Sequence, residues 1–74
     1  MDTIFYKVIF EPQQEGGFTA YCPKLPGCVS EGESYQETYD NIKEAIELYL
    51  QTLKDRNLEI FKDDIHISEI GIAV

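Results

Sequence analysis

Positive charge is what this chain has least of. Its 74 residues carry six Lys plus Arg against fourteen Asp plus Glu, a formal net charge of −8. Phosphate backbones repel such a chain, so direct nucleic-acid binding is disfavoured. A basic protein partner is attracted and steered in. The acidity also has a plainer reading, as the charge that keeps a small domain soluble. Long apolar runs are missing as well, so no segment reads as a membrane span. The first ten residues, MDTIFYKVIF, hold an acid at Asp2 and no small-residue cleavage site. They do not read as a signal peptide, and the expected compartment is the cytoplasm.

Chemistry-bearing side chains are equally sparse. The two cysteines, Cys22 and Cys28, are spaced C-x5-C. That is neither a C-x-x-C redox motif nor half of a zinc pattern with a second pair. In a reducing compartment they read as small buried hydrophobes. His66 is the only histidine. No Ser or Cys is placed beside it by spacing, and it reads as a structural residue at a strand edge. GxxxxGK, GxGxxG and HExxH are all absent, and Gly16-Gly17 opens a strand rather than a helix, so it does not cradle phosphate. The five tyrosines fall mostly at core-facing positions and read as packing rather than base-stacking residues. No catalytic, metal or cofactor site emerges, which turns the reading toward binding.

What is present is a folding pattern. The 43% hydrophobic share, with five tyrosines and four phenylalanines, fits one globular domain over 1–74 rather than a disordered chain. Residues 3–11 alternate in a β-rich run, with Ile4, Tyr6, Val8 and Phe10 on one face and Phe5, Lys7 and Ile9 on the other. A turn at 12–16 leads to a second strand at 17–23, with Phe18, Ala20 and Cys22 on one face. Pro23 and Pro26 fix two backbone angles and end that strand. A short third strand spans 28–31, and Gly32 lets the chain leave the sheet.

Ser34 and Glu37 fit an S-x-x-E capping box. The residues after it follow the 3/4 spacing of an amphipathic helix through Leu53, and Asn57 fits a C-terminal stop. Ile60 and Phe61 are expected to tuck under the helix. Residues 66–73 alternate and read as a final strand. The expected fold is α+β, a β-β-β-α-β partial ribonuclease H-like arrangement. Its sheet order is 3-2-1-4 through a right-handed crossover, with one helix packed on one face. Two-metal nuclease chemistry needs converging carboxylates. The middle of strand one holds Tyr6, Lys7 and Val8 instead, while Glu31, Glu33 and Glu37 lie near the helix start, where they serve as dipole partners.

The run GGFTAYCPKLPGCVSEGES, from Gly16 to Ser34, holds four of the five glycines and two of the three prolines. It resembles the signature of the HicB-like antitoxin family: Gly-Gly-aromatic, x-A-x-x-P-x-LPGC, then a Gly-acid-hydroxyl step into a helix. Gly16, Gly17, Phe18, Ala20, Pro23, Leu25, Pro26, Gly27, Cys28, Gly32, Glu33 and Ser34 carry the likeness. Glu37, Asn41, Glu44, Ala45 and Ile46 continue it. Thr38 stands where that family usually has alanine, and the connector NLEIFKDD lacks its usual prolines. Many members carry a C-terminal DNA-binding domain, and this sequence resembles a short form without one.

The resemblance implies a partner: a small basic HicA-like toxin that cleaves RNA. The antitoxin would cover its active site and RNA-binding surface, with carboxylates standing in for RNA phosphates. The expected contact surface is Glu37, Glu44 and Glu47, with Leu48 as an apolar anchor, against the plainer reading of a solvated helix face. Gly17, Pro23, Leu25, Pro26, Gly27, Cys28, Gly32 and Ser34 read as structural. The alternatives are an orphan binding module for a small ligand or another protein, and a degenerate nuclease. A homo-oligomer, dimer or tetramer, is also expected, because the second apolar face of strand one and an open sheet edge call for cover.

Overall fold

Three short strands form an antiparallel meander, and one long helix follows them. The computed structural model describes residues 3–60 and 63–74. The elements are β1 (Ile9–Pro12), β2 (Phe18–Tyr21), β3 (Val29–Gly32) and α1 (Tyr35–Asp55), with sheet order β1-β2-β3. Phe10 faces Ala20 across the first ladder, and Ala20 faces Ser30 across the second. The turn between β1 and β2 is closed by Gln13 N–H donating to Gly17 O and Gly16 N–H donating to Gln13 O, both at 3.0 Å.

The loop from Cys22 to Cys28 is closed by backbone, not by sulfur. Cys22 N–H donates to Cys28 O at 3.1 Å, Leu25 N–H to Cys22 O at 3.1 Å, and Cys28 N–H to Leu25 O at 3.0 Å. Both thiols are free and buried. Those bonds turn Leu25 inward, where it is 1% exposed. It joins Ala20, Cys22, Cys28 and Ile42 in the core, with Tyr6, Val8, Phe10, Ala45, Ile46, Tyr49 and Leu50 packed around them. Of the faces expected of the first two strands, Tyr6, Val8, Phe10, Ala20 and Cys22 are therefore observed in the core, while Ile4 is exposed.

Ser34 caps the helix: its Oγ accepts from Glu37 N–H at 3.1 Å. The reciprocal bond departs from the expected box, because Glu37 Oε2 accepts from Glu33 N–H at 3.2 Å, one residue earlier. At the other end Asn57 takes a φ of 55°. Leu58 N–H reaches Leu53 O at 2.8 Å and Asn57 N–H reaches Lys54 O at 3.0 Å. This double bond pattern satisfies the last helical carbonyls.

The helix sits over β2 and β3 rather than over the centre of the sheet. Asn41 ties it there, donating from Nδ2 to Glu31 O at 2.9 Å. The fit is close enough to exclude a methyl group. A Cβ on Gly32 would lie 2.7 Å from the Thr38 amide nitrogen and 2.8 Å from its hydroxyl. Thr38 is fully buried, and its hydroxyl donates to Ser34 O at 2.7 Å. A threonine at this position is thus accommodated by the bare backbone opposite it and by a local acceptor.

Two expectations need correction. The fourth strand at 66–73 does not form: among the described residues, 63–74 join no ladder and 66–74 are exposed. Strand one also pairs only from Ile9, not from residue 3. The two corrections have one cause. Strand four was the expected neighbour of strand one's outer edge, and without its ladder residues 3–8 join no sheet among the described residues. The order 3-2-1-4 accordingly reduces to β1-β2-β3, and the ribonuclease H-like sheet is not completed within the described residues. Ile60, expected under the helix, is half-buried. Phe61 lies outside the described residues.

The segment after the connector is pinned at its start. Asp63 accepts the Lys7 N–H, and Ile65 N–H donates to Asp63 Oδ1 at 2.8 Å. Lys24 Nζ pairs with Asp64 Oδ1 at 2.9 Å. The Lys7 and Ile65 amides hold the Asp63 carboxyl below the usual carboxylate range, and Lys24 does the same for Asp64. A carboxyl depressed in the folded state contributes stability above its unfolded value of about pH 4 and loses it as pH falls through the folded one. The Lys7 amide resonance is therefore expected to titrate with a midpoint below about pH 4. A midpoint at or above that value would mean the latch is not formed.

Candidate partner-binding surface

The amphipathic helix buries one side and leaves an acidic one. At about 3.6 residues per turn, Glu37, Glu44, Leu48 and Asp55 align along α1, with Asp40, Glu47 and Gln51 beside them. All are exposed. Thr38, Ile42, Ala45 and Tyr49 occupy the opposite side, toward the sheet. No lysine or arginine interrupts the stripe. Lys43 falls on the flank instead, beside a groove on the β1 side.

The carboxylates differ in what they already hold. Glu37 is engaged in the helix cap, Asp40 accepts from Gln36 Nε2 at 3.0 Å, and Asp55 accepts from Gln51 Nε2 at 3.0 Å. Glu44 and Glu47 make no hydrogen bond or ion pair among the described residues. Leu48, 62% exposed, stands beside Glu47 and one turn from Glu44. The structure therefore brings Glu44, Glu47 and Leu48 together as a free apolar tip flanked by unpaired negative charge. Glu37 shares the line but is partly committed to folding.

The signature residues lie elsewhere. Leu25 and Cys28 are in the core, Ser34 caps the helix, and Gly17 and Gly32 face each other where β2, β3 and α1 converge. Pro23 is half-buried, while Pro26 and Gly27 form the exposed tip of the loop. Burial pushes both thiols up from their ordinary values, which keeps them protonated and poorly nucleophilic. Glu31, Glu33 and Glu37 line a polar hollow at the helix start with Gln13 and Phe18. Among the described residues, no group of three or more His, Cys, Asp or Glu has the arrangement to hold a metal ion. His66 is exposed on the unpaired segment rather than at a strand edge. Among the described residues no helix is long and apolar enough to cross a membrane.

A second surface was not legible in the sequence. Because α1 covers β2 and β3, an apolar groove of about 480 Å³ opens between residues 3–10 and the helix flank at Tyr39, Lys43, Ile46 and Leu50. Tyr39 and Leu50 fit the helical periodicity of a core stripe. Periodicity does not reveal how far across the sheet the helix is set.

Comparison with known proteins agrees with the signature. Residues 6–70 match the family model described as HicB_like antitoxin of bacterial toxin-antitoxin system. A UPF0150 protein of Synechocystis is 39% identical over 69 residues, covering 93% of this chain and 87% of the relative. One of Helicobacter pylori is 48% identical over 62 residues, covering 82% and 86%. One of Thermoplasma acidophilum is 39% identical over 59 residues, covering 80% and 86%. A match over most of the domain, which includes the Cys22–Cys28 loop and the cap of α1, places this chain in the family of HicB-like antitoxins of bacterial toxin–antitoxin systems.

Proposed function

We propose that this protein neutralises a small, basic, HicA-like RNA-cleaving toxin by binding over its active site and RNA-binding surface, and that it acts by occlusion rather than catalysis. The observation that carries this reading is the unpaired pair Glu44 and Glu47 around exposed Leu48 on an uninterrupted acidic stripe. A surface that binds RNA presents cations at phosphate spacing, and a rigid helix presenting carboxylates competes for the same cations. Leu48 would supply the desolvated apolar centre that such contacts need.

The test is titration calorimetry against the product of a neighbouring reading frame that encodes a short basic protein. Binding is expected to weaken steeply with salt, because the attraction is between exposed charges. Glu44→Lys with Glu47→Lys and Leu48→Asp is expected to raise Kd by about 100-fold or more, the loss of a small interface hot spot. Unaltered binding by the triple variant would move the contact off the helix. Absence of binding by the native chain would leave the orphan-module reading.

A further inference from the structure

We propose that two copies of this chain pack their helices antiparallel across a two-fold axis, each seating one flank of α1 in the other's apolar groove. This goes beyond toxin binding and uses the flank that faces β1. The starting observation is spacing. Tyr39, Lys43, Ile46, Leu50 and Leu53 recur at alternating steps of four and three residues. That is the heptad spacing that holds one seam of a helix against a second helix. Among the described residues the chain has no second helix to offer it. Tyr39, Ile46 and Leu50 instead form one wall of the groove, with Phe5 and Val8 on the other. Tyr39 is 46% and Phe5 83% exposed, and Ile46 and Leu50 are only half-buried.

Charge selects the occupant. One cation, Lys43, interrupts the seam, and Glu47 lies one turn further on at its edge. Both are exposed at the groove, and neither makes an ion pair among the described residues. Parallel helices in register would set Lys43 against Lys43. An antiparallel pair with its two-fold axis near Glu44 and Ala45 sets Tyr39 against Leu50 of the second copy. The same register puts Lys43 against Ile46 of the second copy, with its ammonium beside Glu47 of that copy. Each contact repeats across the axis, so the association closes at two chains. A lone polar residue in such a seam fixes the register and the number of helices. A basic partner meets Lys43 here as a like charge, and is drawn instead to the side of the helix that bears Glu44 and Leu48.

The surface available is large enough. The accessible area is 6177 Å², against about 4,700 Å² for a compact monomer of this mass. The exposed 66–74 segment and the groove flank share that excess, and a stable interface takes about 800 Å² from each copy. Side chains alone make the contact. The Lys7 amide stays with Asp63 of its own chain.

Light scattering at micromolar concentration is expected to give twice the 8.5 kDa chain mass. Tyr39→Lys and Phe5→Lys alter exposed side chains and make the chain less negative, so added repulsion cannot explain a loss of dimer. Each is expected to return the mass to one chain with helix content unchanged by circular dichroism. Tyr39→Lys keeps Glu44, Glu47 and Leu48, so its binding to a basic partner should be unaltered. Lys43→Glu and Glu47→Lys each replace two ion pairs with two like-charge pairs, and each is expected to weaken the dimer about tenfold or more. Mixed in equal amounts, these two variants are expected to recover near-native affinity as a heterodimer, at the same total charge as the native dimer. A dimer that survives Tyr39→Lys, or a mixture no tighter than its separate components, would overturn the proposal. So would a monomeric native chain, and Tyr39 resonances that shift only on adding a basic partner would then give the groove to that partner.

Discussion

Leu25→Ala is expected to destabilise this domain by about 3 kcal/mol, the middle of the range for deleting a buried leucine. Leu25 is 1% exposed and belongs to the cluster of Ala20, Cys22, Cys28 and Ile42. It comes from a loop, yet no apolar side chain among the described residues is both larger and fully buried. The loop is braced by two prolines and by the three backbone bonds between Cys22, Leu25 and Cys28. It has little freedom to collapse into the space left behind, so the cavity penalty should be felt nearly in full. A single core of this size supplies about 3–5 kcal/mol in total. Urea denaturation followed at the helix signal should therefore show the variant substantially unfolded before denaturant is added. Leu48→Ala, at a site 62% exposed, should stay within about 0.5 kcal/mol of the native chain. Equal effects from the two substitutions would contradict the packing described.

Gly17→Ala is expected to be nearly as severe, for an unrelated reason. Gly17 has a φ of 77°, and a Cβ there would press into the Gly32 carbonyl oxygen. The left-handed backbone costs about 1–2 kcal/mol for an L-residue, and overpacking against backbone adds about 1–3 kcal/mol. The sum, about 3 kcal/mol, should lower the melting temperature by about 12–24 °C for a domain of this length. Gly27 separates the two contributions, since its φ is 82° but nothing lies within 4 Å of its missing Cβ. Gly27→Ala should lose only the backbone part, about 1–2 kcal/mol. If the two variants melt together, the close approach of Gly17 to Gly32 is not what constrains that corner.

Local grammar was legible in the sequence, and long-range pairing was not. The Ser34 cap, the Asn57 stop, the inward faces of Tyr6, Val8 and Phe10, and the burial of both cysteines all follow from patterns a few residues long. The error at 66–73 is of another kind. Alternation there shows that the segment can be a strand, and it does not say which edge will accept it. The offset of α1 toward β3 depends on Asn41 meeting Glu31 O and on Gly32 meeting Thr38, contacts made between separate elements. The acidic stripe was partly visible: helical spacing placed Glu44, Glu47 and Leu48 together. That Glu37 is partly consumed by the cap, while Glu44 and Glu47 are left without partners, required the hydrogen bonds themselves.

The placement of α1 over β2 and β3 also sets an order in which the molecule should come apart. Amides of Ala20, Ser30 and Ile42 lie beneath or within the helix and should exchange with solvent last, at rates near those of global unfolding. Amides of 3–5 are outside the ladder, carry no hydrogen bond among the described residues, and should exchange first. Glu44, Glu47 and Leu48 are mounted on the slow-exchanging half. Transient opening along the β1 side would leave that half intact, so a chain nicked or frayed at residues 3–8 would still present its carboxylates in register.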